Sequence, residues 1–226
     1  MFFSGHDWEG PYDVNCTVIN NSVSKLNSNP NMICMPYFIE ELNYQPEDAR
    51  ILYFTNFVGN TRSHEIREQL VKSLMSYHQN GGRVPICLTT SSVHYAHLPE
   101  EQKRERRVPF LDAMYRSFTS LCPRGAGLSS ERFFEAMCMG RIPILISDNC
   151  TLPLEDSIDW DSCILRISED GVKNIGNILE SFMSKYDNPA LMRMFVRNRL
   201  TWEKFFQPSQ AQFLYHMELS KILSTL

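Results

Sequence analysis

No apolar run in these 226 residues approaches the roughly 20 that a membrane-crossing helix needs. The start, MFFSGHDWEG, lacks the basic opening and long apolar stretch of a secretory signal. The chain as given is therefore expected to be soluble, with no transmembrane segment. Positive charge is scarce too: 22 Lys and Arg against 26 Asp and Glu give a net charge of −4, without the basic excess of a general nucleic-acid binder. Nucleic acid is not an expected partner. Cysteine is present but unpatterned. Cys16, Cys34, Cys87, Cys122, Cys138, Cys150 and Cys163 show no C-x-x-C spacing, and most sit inside apolar runs. They read as small buried hydrophobes in a reducing compartment rather than as a zinc site or disulfide framework. Repeats and low-complexity stretches are absent. Asn15, Asn20 and Asn149 open glycosylation-type tripeptides, a pattern short enough to arise by chance in an Asn-rich chain.

What is there is a core. Hydrophobic residues make up 43% of the chain and aromatics 12%, enough to fill one large domain. Residues 1–48 are rich in Asn, Ser and Pro and read as a loop-rich, abbreviated edge piece. From residue 49 to 205, strands alternate with helices. Strands are expected at 51–57, 84–89, 118–122, 142–147 and 163–168, and helices at 63–77, 108–117, 129–139, 170–185 and 188–206. The charged run EEQKRERR (100–107) reads most simply as a solvated loop, with KRERR (103–107) also able to meet an anionic partner such as an acidic polysaccharide. A last helix, within 206–226, is expected to pack back on the domain. Short, almost wholly apolar strands separated by helices specify an α/β, Rossmann-like parallel sheet with helices on both faces.

In such sheets ligands bind beyond the carboxyl ends of the strands. PRGAGLSSERFFEAM (123–137) lies at one of those ends. Gly125 and Gly127 allow close approach of the backbone, and Ser129 or Ser130 can cap the helix whose free N–H groups face an anion. Arg124 and Arg132 can add charge-assisted bonds to a diphosphate. Glu135, one turn beyond Arg132, can accept from ribose hydroxyls. Two readings fit these residues. GAGLSS nearly spells the dinucleotide fingerprint G-x-G-x-x-G/A, with Asp148 about 20 residues onward as its acidic partner, but Ser130 replaces the third small residue. The other reading is a nucleotide-sugar site.

The run FLDAMYRSFTSLCPRGAGLSSERFFEAMCMGRIPILISDNCTLPLEDSIDW (110–160) resembles the carboxyl-terminal half of exostosin-like glycosyltransferases. ICMPYF (33–38) and ARILYFTNFVGNTRSHEIREQL (49–70) follow in that family's order. The resemblance implies a GT-B-type carboxyl-terminal domain with an abbreviated amino-terminal portion. It implies transfer of a sugar from a nucleoside diphosphate, usually uridine, to a glycan or glycoprotein acceptor. Retaining GT-B enzymes carry a further glutamate where this chain has Gly127, which points to inversion.

Carried over, Asn60 and Arg62 of the GN turn, Arg124, Gly125, Gly127, Ser129, Ser130 and Arg132 would hold the diphosphate, and Glu135 the ribose. Positive groups aimed at the leaving diphosphate do the work of a metal, so no cofactor beyond the UDP-sugar donor is expected. Asp159-Trp160-Asp161 spells D-x-D but falls in the family's IDW element and reads as structural. The base that inversion needs is expected in SGHDWEG (4–10), with Asp7 first, His6 second and Glu9 beside them.

The shortened amino-terminal portion leaves a rival reading, a nucleotide-sugar-binding module that depends on a partner chain or a second copy. A dinucleotide-binding oxidoreductase is the third. The resemblance places the protein in the Golgi lumen if it is a piece of a membrane-anchored enzyme, and otherwise in the cytoplasm.

Overall fold

A computed structural model of the chain describes residues 2–4, 18–26, 32–92 and 98–223. It contains two parallel sheets. The small one pairs β1 (Phe2–Ser4), β2 (Val18–Asn20) and β3 (Met32–Cys34) in that order. The large one is built from β4 (Tyr53–Asn60), β5 (Ile86–Ser91), β6 (Ser117–Pro123), β7 (Ile142–Ile146) and β8 (Leu165–Ile167). Its spatial order is β5-β4-β6-β7-β8, all parallel.

The helices are α1 (Glu65–Gln79), α2 (Glu100–Tyr115), α3 (Glu131–Cys138), α4 (Ile175–Lys185), α5 (Asn188–Thr201) and α6 (Ala211–Leu223). Among the described residues, no helix is long and apolar enough to cross a membrane.

The strand pleat divides the core in two. Ile142, Ile144 and Ile146 of β7 pack with Phe57, Leu70, Leu74 and Leu179, the face covered by α1 and α4. Leu145 points the other way, with Phe133, Phe134, Met137, Trp202 and Phe206. An unbroken apolar strand such as IPILI is what a sheet covered on both faces requires. His64 starts α1, its Nδ1 accepting from the Ile66 amide at 3.2 Å.

Three differences from the sequence reading go beyond a shift of a few residues. The expected GN turn is the end of β4, because Gly59 and Asn60 stay in register with Thr90 and Ser91 of β5. The charged run 100–107 is helix rather than loop, with Glu100 and Glu101 in its first turn and an i,i+3 Lys103–Glu100 pair at 2.7 Å. The long helix expected at 188–206 ends at Thr201 and continues as a π-turn, Trp202–Phe206.

The amino-terminal strands are docked onto this domain. Ile19, Ile33 and Met35 share one apolar cluster with Phe133, Phe134 and Trp160. Lys25 N donates to Asn149 O at 2.8 Å, Thr151 N to Val23 O at 2.9 Å, and Leu128 N to Ser22 Oγ at 2.7 Å. Residues 35–50 then run without regular structure. Arg199 of α5 fastens this stretch by donating to both oxygens of Glu41 (2.8 and 2.7 Å) and to Cys138 O at 2.6 Å. In α6, Leu214 is buried in the same cluster as Trp202 and Phe206.

Candidate functional site

Counted along the chain, the large sheet runs 2-1-3-4-5, so the strand order reverses between β4 and β6. A crevice opens at the carboxyl end of a sheet at such a reversal, and ligands of doubly wound proteins lie there. The ends that frame it are Asn60 and Pro123, and the loops that leave them lead into α1 and α3.

Arg67 of α1 stitches the two ends together. Its Nη1 donates to Asn60 O (3.2 Å), its Nη2 to Pro123 O (3.2 Å) and its Nε to Arg124 O (2.9 Å). Burial, then the neighbouring charge of Arg132, pulls its pKa down to about 10. Gly125 sits against it: a Cβ there would be 3.2 Å from Arg67 Nη2. A side chain at 125 would crowd the stitch.

Arg132, on the first turn of α3, is 8% exposed. Its Nη2 donates to Val58 O at 2.5 Å, and its guanidinium lies 4.9 Å from the Phe57 ring centroid and 5.6 Å from that of Phe110. Gly59 makes this path available, because a Cβ there would stand 2.5 Å from Arg132 Nη2. Burial pushes the Arg132 pKa down, with Cys122 and Glu135 opposing.

Neither Arg67 nor Arg132 forms an ion pair among the described residues. Arg132 Nε and Nη1, Arg124 Nε and Ser63 Oγ are buried without a hydrogen-bond partner. Buried donors left open carry a desolvation cost of about 1–3 kcal/mol each, more when charged. Positive charge and unused donors are thus concentrated beneath the carboxyl end of the sheet at its reversal.

The sequence-expected residues fall around this floor. Asn60 Oδ1 accepts from the Arg62 amide at 2.8 Å, and Arg62 itself is exposed on the loop after β4. Arg124 Nη1 lies 3.6 Å from Glu169 Oε1, and its Nη2 donates to Ala126 O at 3.4 Å. Gly127 and Ser129 are buried. Ser130 takes the N-cap position of α3 with extended backbone, but its hydroxyl makes no capping bond. Glu135 is 7% exposed, and its Oε1 accepts from Arg107 Nη1 at 2.6 Å.

Other expectations land elsewhere. Asp7, His6 and Glu9 lie outside the described residues. Asp159 and Asp161 are exposed on either side of Trp160, whose buried ring stacks on Phe206 at 5.8 Å. Asp148 Oδ1 accepts from the Glu169 amide at 2.7 Å. Arg67, Arg107 and Ser63 were not singled out by sequence reasoning. Arg67 sits between Ile66 and Glu68 in an ordinary amphipathic helix pattern, and nothing local marks it.

Fold and crevice define a GT-B-type α/β domain. Consistent with this, the solved structure of TarM superposes with a TM-score of 0.53 over 83% of this chain and 39% of that one, at 11% identity. The chain belongs to the exostosin family: the model described as the exostosin GT47 domain matches residues 14–182. Exostosin-1 of Drosophila melanogaster is 26% identical over 161 residues, covering 68% of this chain and 20% of that protein. An exostosin-1 homolog of Caenorhabditis elegans is 27% identical over 156 residues, 65% of this chain and 41% of that protein. The chain therefore spans less than half the length of these relatives. Family membership sets the oxidoreductase reading aside.

Proposed function

We propose that this chain forms the donor side of an inverting glycosyltransferase, one that moves a sugar from a nucleoside diphosphate, uridine foremost, to a glycan or glycoprotein acceptor. The observation that supports this reading is the pair of guanidiniums, half-buried Arg67 and buried Arg132, which lie at the reversal point of the sheet without a carboxylate in an ion pair with either. Charges held in a water-poor site attract an anion far more strongly than surface charges do.

In the reaction the bond between the anomeric carbon and the β-phosphate oxygen breaks, and negative charge grows on the diphosphate. Donors already fixed around that position lower the barrier because they need not reorganise as the charge develops. Arg132 Nε and Nη1, Arg124 Nε and the uncapped start of α3 are those donors. Glu135 accepts from the ribose. The acceptor hydroxyl attacks from the opposite face, and its proton passes to a carboxylate or imidazole expected at Asp7 or His6. No metal step is required by this scheme.

A second reading has an observation in its favour. The chain covers 20% of one exostosin relative and 41% of another. A donor-binding module completed by another chain, or a second copy, fits those facts. The exostosin resemblance favours the Golgi lumen for a longer, anchored form.

One experiment separates these readings. Uridine diphosphate (UDP) and a panel of UDP-sugars should raise the melting temperature; at a ligand concentration 100 times Kd the gain is about 2.7 kcal/mol. Turnover by the chain alone supports the enzyme, and binding without turnover supports the module. Stabilisation by reduced nicotinamide dinucleotide but by no uridine nucleotide would refute both.

A further inference from the structure

Helix α2, whose charged start the sequence reading treats as solvated loop, packs against β4 and β6, the two strands at the reversal of the sheet. Arg107 of that helix is one-third exposed, and its Nη1 donates to Glu135 Oε1 at 2.6 Å, where the Glu135 side chain is 9% exposed. The Arg107 guanidinium also lies 5.1 Å from the centroid of Phe110, the ring that Arg132 approaches at 5.6 Å. One ring therefore serves two cations, one from α2 and one from α3. It fixes the side-chain pair Arg107–Glu135 relative to the guanidinium that faces the diphosphate.

The chemistry of a carboxylate says what this does. A carboxylate withdrawn from water needs a hydrogen-bond partner. Arg107 is the partner Glu135 has. A carboxylate offers two oxygens and roughly four acceptor positions. Oε1 is engaged by Arg107, and Oε2 accepts no hydrogen bond among the described residues. A bound ribose presents hydroxyl donors, which Oε2 and the remaining lone pair of Oε1 can accept.

We propose that Arg107 is a positioning residue: it holds the Glu135 carboxylate in place and turned toward the ribose, and so makes the site select nucleotides that carry sugar hydroxyls. This deepens the donor-binding reading above and rests on it. Arg107 touches no reacting atom, and its effect is confined to the sugar end of the nucleotide. The pyrophosphate end, gripped by Arg132, Arg124 and the start of α3, is independent of it.

The test is calorimetric binding of three probes to the wild-type chain, Arg107→Ala, Arg107→Lys and Glu135→Gln. The probes are UDP, its 2′,3′-dideoxy analogue and inorganic pyrophosphate. Wild type should prefer UDP to the dideoxy analogue by about tenfold, the size of one hydrogen bond to a charged group. Arg107→Ala should erase that preference and leave pyrophosphate affinity unchanged, Glu135→Gln should reproduce the loss, and Arg107→Lys should restore most of it.

Preference retained in Arg107→Ala overturns the inference, as does an equal loss for all three probes, which is what a purely structural role would produce. If Arg107→Ala fails to fold, Arg107→Lys decides by the same ratio: a preference below half that of wild type, or an equal loss for all probes, overturns it. A wild-type chain that binds neither UDP nor pyrophosphate overturns the functional reading, and this inference falls with it.

Discussion

Adding a single methyl group at Gly59 tests the site with little else disturbed. Gly59 has no positive φ, so alanine is compatible with the backbone, and by itself the exchange stabilises by about 0.4–1 kcal/mol through the unfolded chain. Against this, the new Cβ would lie 2.5 Å from Arg132 Nη2, closer than non-bonded atoms pack. Arg132 must retreat, although the Phe57 ring at 4.9 Å and the Phe110 ring at 5.6 Å confine it.

Retreat breaks the 2.5 Å bond to Val58 O, a charge-assisted bond worth about 1.5–3 kcal/mol. The balance is a destabilisation of about 1–2 kcal/mol, or a few degrees in melting temperature for a domain of this size. Misplaced by even an ångström, the guanidinium no longer meets the diphosphate, and pyrophosphate affinity should fall about tenfold. Thermal melts and pyrophosphate calorimetry on Gly59→Ala read the two effects separately. Wild-type melting together with wild-type pyrophosphate affinity would refute the placement of Arg132 in the anion site.

Other perturbations have equally definite outcomes. Arg132→Ala should weaken UDP binding by about 1–3 kcal/mol while the far-ultraviolet circular dichroism stays native; unchanged affinity would remove Arg132 from the site. Asp7→Asn should leave UDP binding intact and abolish transfer, and transfer at the wild-type rate would show that the base is another group. Tyr44 donates to Asp112 Oδ1 at 2.7 Å, and burial followed by that bond pushes its pKa up to about 12. Its folded pKa is raised, so its contribution is complete below about pH 10 and is lost as pH rises toward 12. The stability difference between wild type and Tyr44→Phe, taken from urea unfolding, should therefore be visible at pH 8 and vanish near pH 12; a constant difference would contradict the bond.

How far the molecule can be read from its sequence follows from where each constraint lives. Ile142–Ile146 announces a strand covered on both faces because every one of its residues is apolar, and the strand is there. The sequence PRGAGLSSERFFEA places Arg132 and Glu135 one helical turn apart, and both lie on α3 with little exposure. At residues 100–107 charge density misleads as a loop signal, since the run is helical. Charge pairs three residues apart support a helix equally well, and the partner that explains Arg107 lies 28 residues away. Arg67 was illegible for a related reason: its three acceptors belong to residues 60, 123 and 124, distances along the chain that no local pattern encodes. Ser130 occupies the expected cap position without making the expected bond, a distinction that depends on side-chain rotation and not on residue type.

The Arg67 clasp bears on how such a domain can diversify. All three of its acceptors are main-chain oxygens, which any amino acid supplies. Side chains on the two segments it joins can therefore be exchanged over generations without loosening the joint, provided that position 125 stays small. Selection is free to rewrite those segments while one arginine maintains the spacing between them.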